Sequence, residues 1–506
     1  MSDQVKVGSR IVSGDDDRGT VRYIGSVAGQ NGQWLGIDWD NQSRGKHDGT
    51  VNGHRYFEAS SASSGSLIRP SKVRTGCALV QAVNERYGAG VEAVGDLKVH
   101  SKPIELVGMQ KIYGKQNTFS RLKTVVVDDQ EVSQCGPLSQ ELQLCQELYL
   151  RRTLFSSWVE VIKIVSALPN IRLLDLSCNR IDIETADESL KCSECDRLET
   201  LIMNECHLEW SHVVRVATVF TKLQGLGLCR NEIEACPTSS FLLHCLTWLD
   251  LESNKLKSWH DVKDLERLPK LELLNLGRNA LPSVEVAEKE PFPSLKVLYL
   301  CYNRISDWSS IDCLNRLPNL EQLIIHRNPL FDKLKTETAR QMIIGRVWRL
   351  LHLDKQIVEP QERRGAELDY LKFYVAQWLQ AQQSDLLLAV FRKEHPRYEQ
   401  LLKYYGSPQL EEAVDHPDGV LKHRLVKVSV VGPGLHSSVA KSVPERMTVQ
   451  KLKALVARLC RKNPRNVQLY CDSVNKPGFS LHLDNDVREL RFYSLEDGDT
   501  IRLVES

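Results

Sequence analysis

The feature that most constrains this chain is a short phrase, L-x-x-L-x-L-x-x-N-x-[LI], that returns again and again between Ile171 and Leu330. It reads IRLLDLSCNRI from Ile171, LETLIMNECHL from Leu198, LQGLGLCRNEI from Leu223 and LTWLDLESNKL from Leu246. LELLNLGRNAL from Leu271, LKVLYLCYNRI from Leu295 and LEQLIIHRNPL from Leu320 come next, and a degenerate copy, CQELYLRRTLF, precedes them all at Cys145. The seven regular starts lie 27, 25, 23, 25, 24 and 25 residues apart. Alternation in the L-x-L pair turns the leucines to one face of a strand and the residues between them to the other. The polar residue that closes the phrase (Asn179, Asn231, Asn254, Asn279, Asn303, Asn328, with Cys206 in one copy) is placed to bond the turning backbone of a neighbour. One such unit cannot bury its own apolar face, so the copies must stack into a curved solenoid.

Phrase and period resemble the leucine-rich repeat family, which implies an α/β solenoid over residues 141–350, including a C-terminal cap. Function in such a solenoid is expected on the concave sheet. Counting outward-facing places there selects Asp175, Ile202, Asn204, Trp248, Asp250, Glu252, Asn275, Tyr299, Ile324 and His326. Trp248 and Tyr299 beside Asp250 and Glu252 would suit a protein partner, because aromatic side chains anchor interfaces.

Residues 1–75 have a different grammar. VKVGSRIV, GTVRYIG, WLGIDWD, GTVNGHRYFEA and GSLIRPSKV are short strands separated by glycine turns, the pattern of a small β-barrel. Between Arg44 and Arg74 lie Arg44, Lys46, Arg55, Arg69, Lys72 and Arg74 against only Asp48 and Glu58. Cations beside aromatic walls suit an acidic peptide end. Gly45 and Gly49, which bracket the GKHDG loop, are expected at positive φ. These spaced motifs resemble the CAP-Gly domain. The resemblance implies a groove for acidic C-termini that end in an aromatic residue, as in α-tubulin, formed by Trp34, Lys46, His47, Leu67 and Arg69, with Asp48 and Gly49 in its rim. Two places depart from the family: His47 stands for asparagine and Leu67 for phenylalanine. A phosphate loop would need Ser or Thr after Gly45-Lys46, where His47 stands, and a catalytic His47–Asp48 pair has no nucleophile beside it.

Residues 76–140 read as a connecting and capping segment, with a helix and strand expected around DLKVHSKPIELVGMQKI. Residues 351–420 read as a helical spacer that shares few contacts with the C-terminal domain. That domain, residues 421–506, orders as strand, strand, helix, strand and a final LEDGDTIRLV. Thr448 is placed to cap the helix, and Val449, Leu452, Leu455, Val456 and Leu459 form its inward stripe. This resembles the ubiquitin-like β-grasp. Tyr470 and Val504 fall on its outer sheet face as a candidate docking patch.

A net charge of +1 over 506 residues gives no reason to expect nucleic acid or an anionic membrane as partner. No apolar run reaches the ~20 residues of a membrane span. MSDQVKVGSR does not read as a secretory signal, so the 14 cysteines are expected as thiols in the cytoplasm. Cys192 and Cys195 make a C-x-x-C with no second pair at zinc spacing, and no catalytic motif is found, so neither metal, cofactor nor enzymatic activity is expected. The domain order resembles the family of tubulin-folding cofactors. That implies a cytoplasmic, cytoskeleton-associated chaperone that binds α-tubulin and works with other tubulin-folding cofactors on the αβ heterodimer. The runner-up readings are an adaptor to the proteasome or ubiquitin pathway and a microtubule-associated linker.

Overall fold

The computed structural model describes residues 5–88, 98–99, 102–103, 121–138, 142–183, 193–237, 242–289, 291–332, 334–406, 425–435, 437–445, 447–474, 478 and 480–505. They form two compact units, Met1–Arg304 with Leu317–Asn319 and Ile305–Arg316 with Leu320–Ser506.

The first unit opens with a five-stranded antiparallel sheet in the order Gly65–Ile68, Gln30–Trp39, Arg18–Val27, Arg10–Ser13, Val73–Thr75. Ile11, Val21, Leu35, Ile37 and Trp39 are its buried core. A parallel sheet of the repeats comes after it, one short strand per copy, from Glu147–Tyr149 through Leu173–Asp175 to Val297–Tyr299. Register is strict: Leu174, Leu201, Leu226, Leu249, Leu274 and Leu298 meet side by side, and each is fully buried or nearly so.

What holds one repeat to the next is the closing asparagine. Asn231 donates from Nδ2 to the carbonyls of Met203 (2.9 Å) in the preceding repeat and Leu228 (3.0 Å) in its own. Its Oδ1 accepts the N–H groups of Cys206 (2.9 Å) and Leu208 (3.1 Å). Asn179, Asn254, Asn279 and Asn303 repeat the same bridging donation. Cys206 does a weaker version, with Sγ 3.4 Å from the Leu176 carbonyl. The residue just before each of these places takes a left-handed conformation although none is glycine: Cys178, Glu205, Arg230, Ser253, Arg278 and Tyr302 have φ between 54° and 60°. A strand so short turns sharply there, and the asparagine amide satisfies the carbonyls that the turn leaves free.

The same geometry shows that the solenoid starts earlier than its regular phrase. Arg152 is left-handed at 52°, and Thr153 stands at the asparagine place with its N–H on Asn179 Oδ1 (2.9 Å), so the copy at Cys145 is a true repeat. Before it, Thr124–Val126 pairs in parallel with Glu147–Tyr149, Val125 and Val127 are buried, and Asp129 is left-handed at 63°. LKTVVVDDQEV is thus one more copy, with valines for leucines and Gln130 for the asparagine. Of DLKVHSKPIELVGMQKI only the paired strands Lys98–Val99 and Lys102–Pro103 are described, and the rest of that expectation lies outside the described residues.

In the second unit the last repeat strand, Gln322–Ile324, pairs with a hairpin of His352–Leu353 and Gln356–Ile357. Helix Thr336–Arg346 packs on the long helix Pro360–Ala381, and Asp385–Glu394 and Tyr398–Tyr405 pack on the latter in turn. Buried ion pairs brace these helices: Arg346 to Asp312 (2.5 Å), Arg397 to Glu367 (2.7 Å) and Arg340 to Glu362 (2.7 Å). Arg346 also lies 4.8 Å over the Trp308 ring and bonds the Tyr374 hydroxyl at 2.6 Å.

Residues 425–505 form a β-grasp: Val439–Pro444, Leu425–Val431, Thr500–Glu505, Val467–Asp472 and Ser480–His482 in one sheet, with helix Val449–Leu459 capped by Thr448 Oγ1. Val467, Leu469, Ile501 and Leu503 are buried, and Tyr470 and Val504 lie half-buried on the other face. The expectation of few contacts with the preceding helices is corrected. Helix Pro360–Ala381 carries the turn Leu490–Tyr493 against it, and the close approach is at Gly365. A Cβ there would sit 3.0 Å from the Phe492 carbonyl oxygen.

Replacing Asn231 with alanine should leave two N–H groups and two carbonyls without their amide partner. At about 1–3 kcal/mol per unsatisfied buried group, even partial relaxation leaves a loss of about 3 kcal/mol. Urea unfolding of Asn231→Ala should show it, and a loss below about 1 kcal/mol would mean that the ladder is dispensable.

Candidate functional site

The GKHDG loop is closed by its neighbour strand. Gly65 accepts from the N–H groups of Lys46 (2.7 Å) and His47 (3.2 Å) and donates to the His47 carbonyl (2.8 Å). Gly49 takes a φ of +100°, as expected, but Gly45 has no positive φ. Its constraint is room: a Cβ there would lie 2.3 Å from the Ser64 carbonyl carbon. Asp48 accepts the Thr50 N–H at 2.9 Å and pairs with Arg55 at 3.6 Å; the hydrogen bonds from Thr50, ahead of Arg55, hold its carboxyl below the usual range. Asp48 and Gly49 therefore shape the loop.

The remaining expected residues converge on the strands next to it. Leu67 lies opposite Gly36 in the register, two residues beyond the Gly65 anchor. Arg69 comes next on the same strand side and lays its guanidinium 4.0 Å over the Trp34 ring. Cation and ring form a composite wall. Trp34, Leu67 and Arg69 are half-buried, and Lys46 is exposed.

Charge pairing sorts the basic run. Arg44 is tied to Asp17 and Asp15, Arg55 to Asp48, and Arg74 to Asp16 (2.7 Å) and Glu131 (2.8 Å). Lys46, Arg69 and Lys72 form no ion pair among the described residues. Both cations expected in the groove, Lys46 and Arg69, are thus among the three left uncompensated.

His47 has a defined tautomer. The Gly49 N–H donates to its Nδ1 at 3.0 Å, so the neutral ring carries its proton on Nε2. The ring also meets Phe57 edge to face at 5.9 Å. Burial lowers its pKa from 6.5, with Asp48 opposing.

On the repeat face, Trp248, Asp250, Glu252, Asn275 and Tyr299 come together as expected. Sequence reasoning missed what seats Trp248. The neighbouring strand is Gly225–Gly227, and a Cβ on Gly225 would lie 3.0 Å from the indole, one on Gly227 3.3 Å. Two glycines in LQGLGL were the available signal. The polar members are partly engaged with each other: Asp250 accepts the Glu252 N–H (2.9 Å), and Asn275 donates to Glu252 (3.1 Å), which also pairs with Arg278 (3.1 Å). His326 belongs to the other unit, bonded to Asp354 at 2.9 Å. Ile324, expected on the open face, is instead buried at 1% exposure, where the sheet passes into the terminal hairpin.

At the C-terminal domain Tyr470 is stacked on His482, with ring centroids 4.7 Å apart, and Arg502 lies over it at 5.4 Å. Cys192 lies outside the described residues, and Cys195 is buried. No group of His, Cys, Asp or Glu suited to a metal occurs among the described residues, and none of their helices is long and apolar enough to cross a membrane.

Residues 7–73 match the CAP-Gly domain family, 221–285 the leucine rich repeat, 293–336 a two-copy leucine rich repeat and 425–506 the ubiquitin-like domain. Over its length the chain is similar to tubulin-specific chaperone E of Xenopus laevis, at 35% identity over 96% of both chains. The corresponding proteins of Danio rerio (36% identity, 98% of both chains) and Homo sapiens (33%, 97% of both) are similar to the same extent.

An NMR titration of the full chain should place the His47 midpoint below 6.5. The folded state then binds fewer protons than the unfolded one, so the buried neutral His47 contributes stability that is present above pH 6.5 and lost as pH falls through the folded midpoint. A midpoint above 6.5, or a ring protonated on Nδ1 at neutral pH, would contradict the hydrogen-bond assignment.

Proposed function

The chain belongs to the tubulin-specific chaperone E family, and from that premise we propose that it is a non-enzymatic tubulin-folding chaperone whose N-terminal groove takes the acidic C-terminal tail of α-tubulin. One observation carries the groove reading: in a run of six basic residues, acids neutralise Arg44, Arg55 and Arg74, while Lys46 and Arg69 beside the Trp34 wall keep their charge for a ligand. A carboxylate terminus would bond those two, and a terminal aromatic ring would pack on Trp34 and Leu67. His47 offers an Nε2–H donor in place of the family's asparagine amide.

The repeat face around Trp248 and Tyr299 is the second contact, with the folded body of tubulin. Two modest sites on one chain gain through effective concentration. With other tubulin-folding cofactors the chain would act on assembly and disassembly of the αβ heterodimer, and the outer sheet face at Tyr470 and Val504 would dock one of these or a proteasome component.

Lys46→Ala with Arg69→Ala should weaken binding of a peptide ending in acids and a terminal aromatic by about tenfold or more, since a hydrogen bond to a charged group contributes about 1.5–3 kcal/mol before exposure is discounted. Calorimetry at two salt concentrations should also show weaker wild-type binding at the higher one. Equal affinity of wild type and double variant would remove the groove reading. Trp248→Ala should lower affinity for tail-less tubulin without touching tail-peptide affinity; unchanged tubulin binding would remove the second contact.

A further inference from the structure

Between the N-terminal sheet and the edge of the first repeats lies a cleft of about 650 Å³, within the size range of ligand sites. Five acids line it, and each is matched to a cation. Asp16 pairs with Arg74 (2.7 Å), Asp17 with Arg44, Asp40 with Arg10 (2.7 Å), Asp129 with Arg152 (3.6 Å) and Glu205 with Arg230 (3.1 Å).

Three arginines of the lining are then left over. Arg18 donates only to the Asp129 carbonyl (2.9 Å), and its Nε is buried with no hydrogen-bond partner. Arg180 donates to the Glu205 carbonyl (3.1 Å), and Arg151 shares the lining with Cys178. None of the three has an ion pair among the described residues. Burial lowers the pKa of Arg18 and Arg180, the signature of cations desolvated without a full counter-charge.

We propose that this cleft is a second recognition site, in which Arg18, Arg151 and Arg180 bind side-chain carboxylates of an acidic peptide segment. The placing of the three arginines decides the ligand class. Arg18 stems from the N-terminal sheet and Arg151 and Arg180 from two repeat turns, so single carboxylates spaced along a peptide reach them one at a time. The repeat turns contribute directly: Arg151 precedes the left-handed Arg152, and Arg180 follows the left-handed Cys178 by two residues, so the ladder of the first repeats sets where the two arginines leave the backbone.

The probe is a glutamate-rich peptide, acetylated and amidated so that it has no terminal carboxylate for the groove. Full-length protein should bind it, more weakly at high salt. Arg151→Gln and Arg180→Gln should each weaken it about tenfold, with unchanged melting for the exposed Arg151. Lys46→Ala with Arg69→Ala should leave it unchanged, which separates this site from the groove. Binding insensitive to Arg151→Gln and Arg180→Gln, or lost in the groove variant, would overturn the proposal. So would inorganic pyrophosphate competing as well as the peptide, which would make the cleft a simple-anion site.

Discussion

The repeat unit depends on one arrangement: a non-glycine residue held left-handed, with an amide after it that satisfies the carbonyls on either side of the turn. Such a backbone costs of order 1–3 kcal/mol at each place, and it recurs from Cys178 to Tyr302 in every repeat of the first unit. The strain persists because each asparagine answers for two repeats at once, donating back to the previous turn and forward to its own. Everything displayed on the open face of the repeat sheet, Trp248 and Tyr299 included, has its spacing from the stacking of these repeats.

The N-terminal domain solves a different problem, that of keeping charge available. Most of its arginines are committed: Arg10 is 3% exposed against Asp40, and Arg44 stacks 4.0 Å over Trp39 while bonding Asp17. Those pairs hold the sheet and the loops together. After they are subtracted Lys46, Arg69 and Lys72 remain, so fewer cations of the run are open to a ligand than a count of basic residues implies.

How much was legible depends on how local each cause is. The repeats were readable because every leucine and asparagine in the phrase does the same job, and the copy at Thr124–Val126 escaped because valine and Gln130 do that job under other letters. Trp34, Lys46, His47, Leu67 and Arg69 were nameable from spaced motifs. The pairing of Arg74 with Glu131, 57 residues away, was not, since nothing in either neighbourhood marks the other. Gly365 looked like an ordinary helix residue, and its role exists only once the turn at Phe492 is placed against it.

The closure of the GKHDG loop has a consequence for how a ligand is received. Gly45 is required by the crowding of Ser64 and not by its own torsion angles, and three backbone hydrogen bonds tie the loop to Gly65 on the strand that carries Leu67 and leads straight into Arg69. Rim and wall therefore move as one body. A guest in the proposed groove would meet a surface that is already shaped, so little conformational entropy would be surrendered at the moment of binding, and discrimination would fall on the fit of the guest and not on rearrangement of the host.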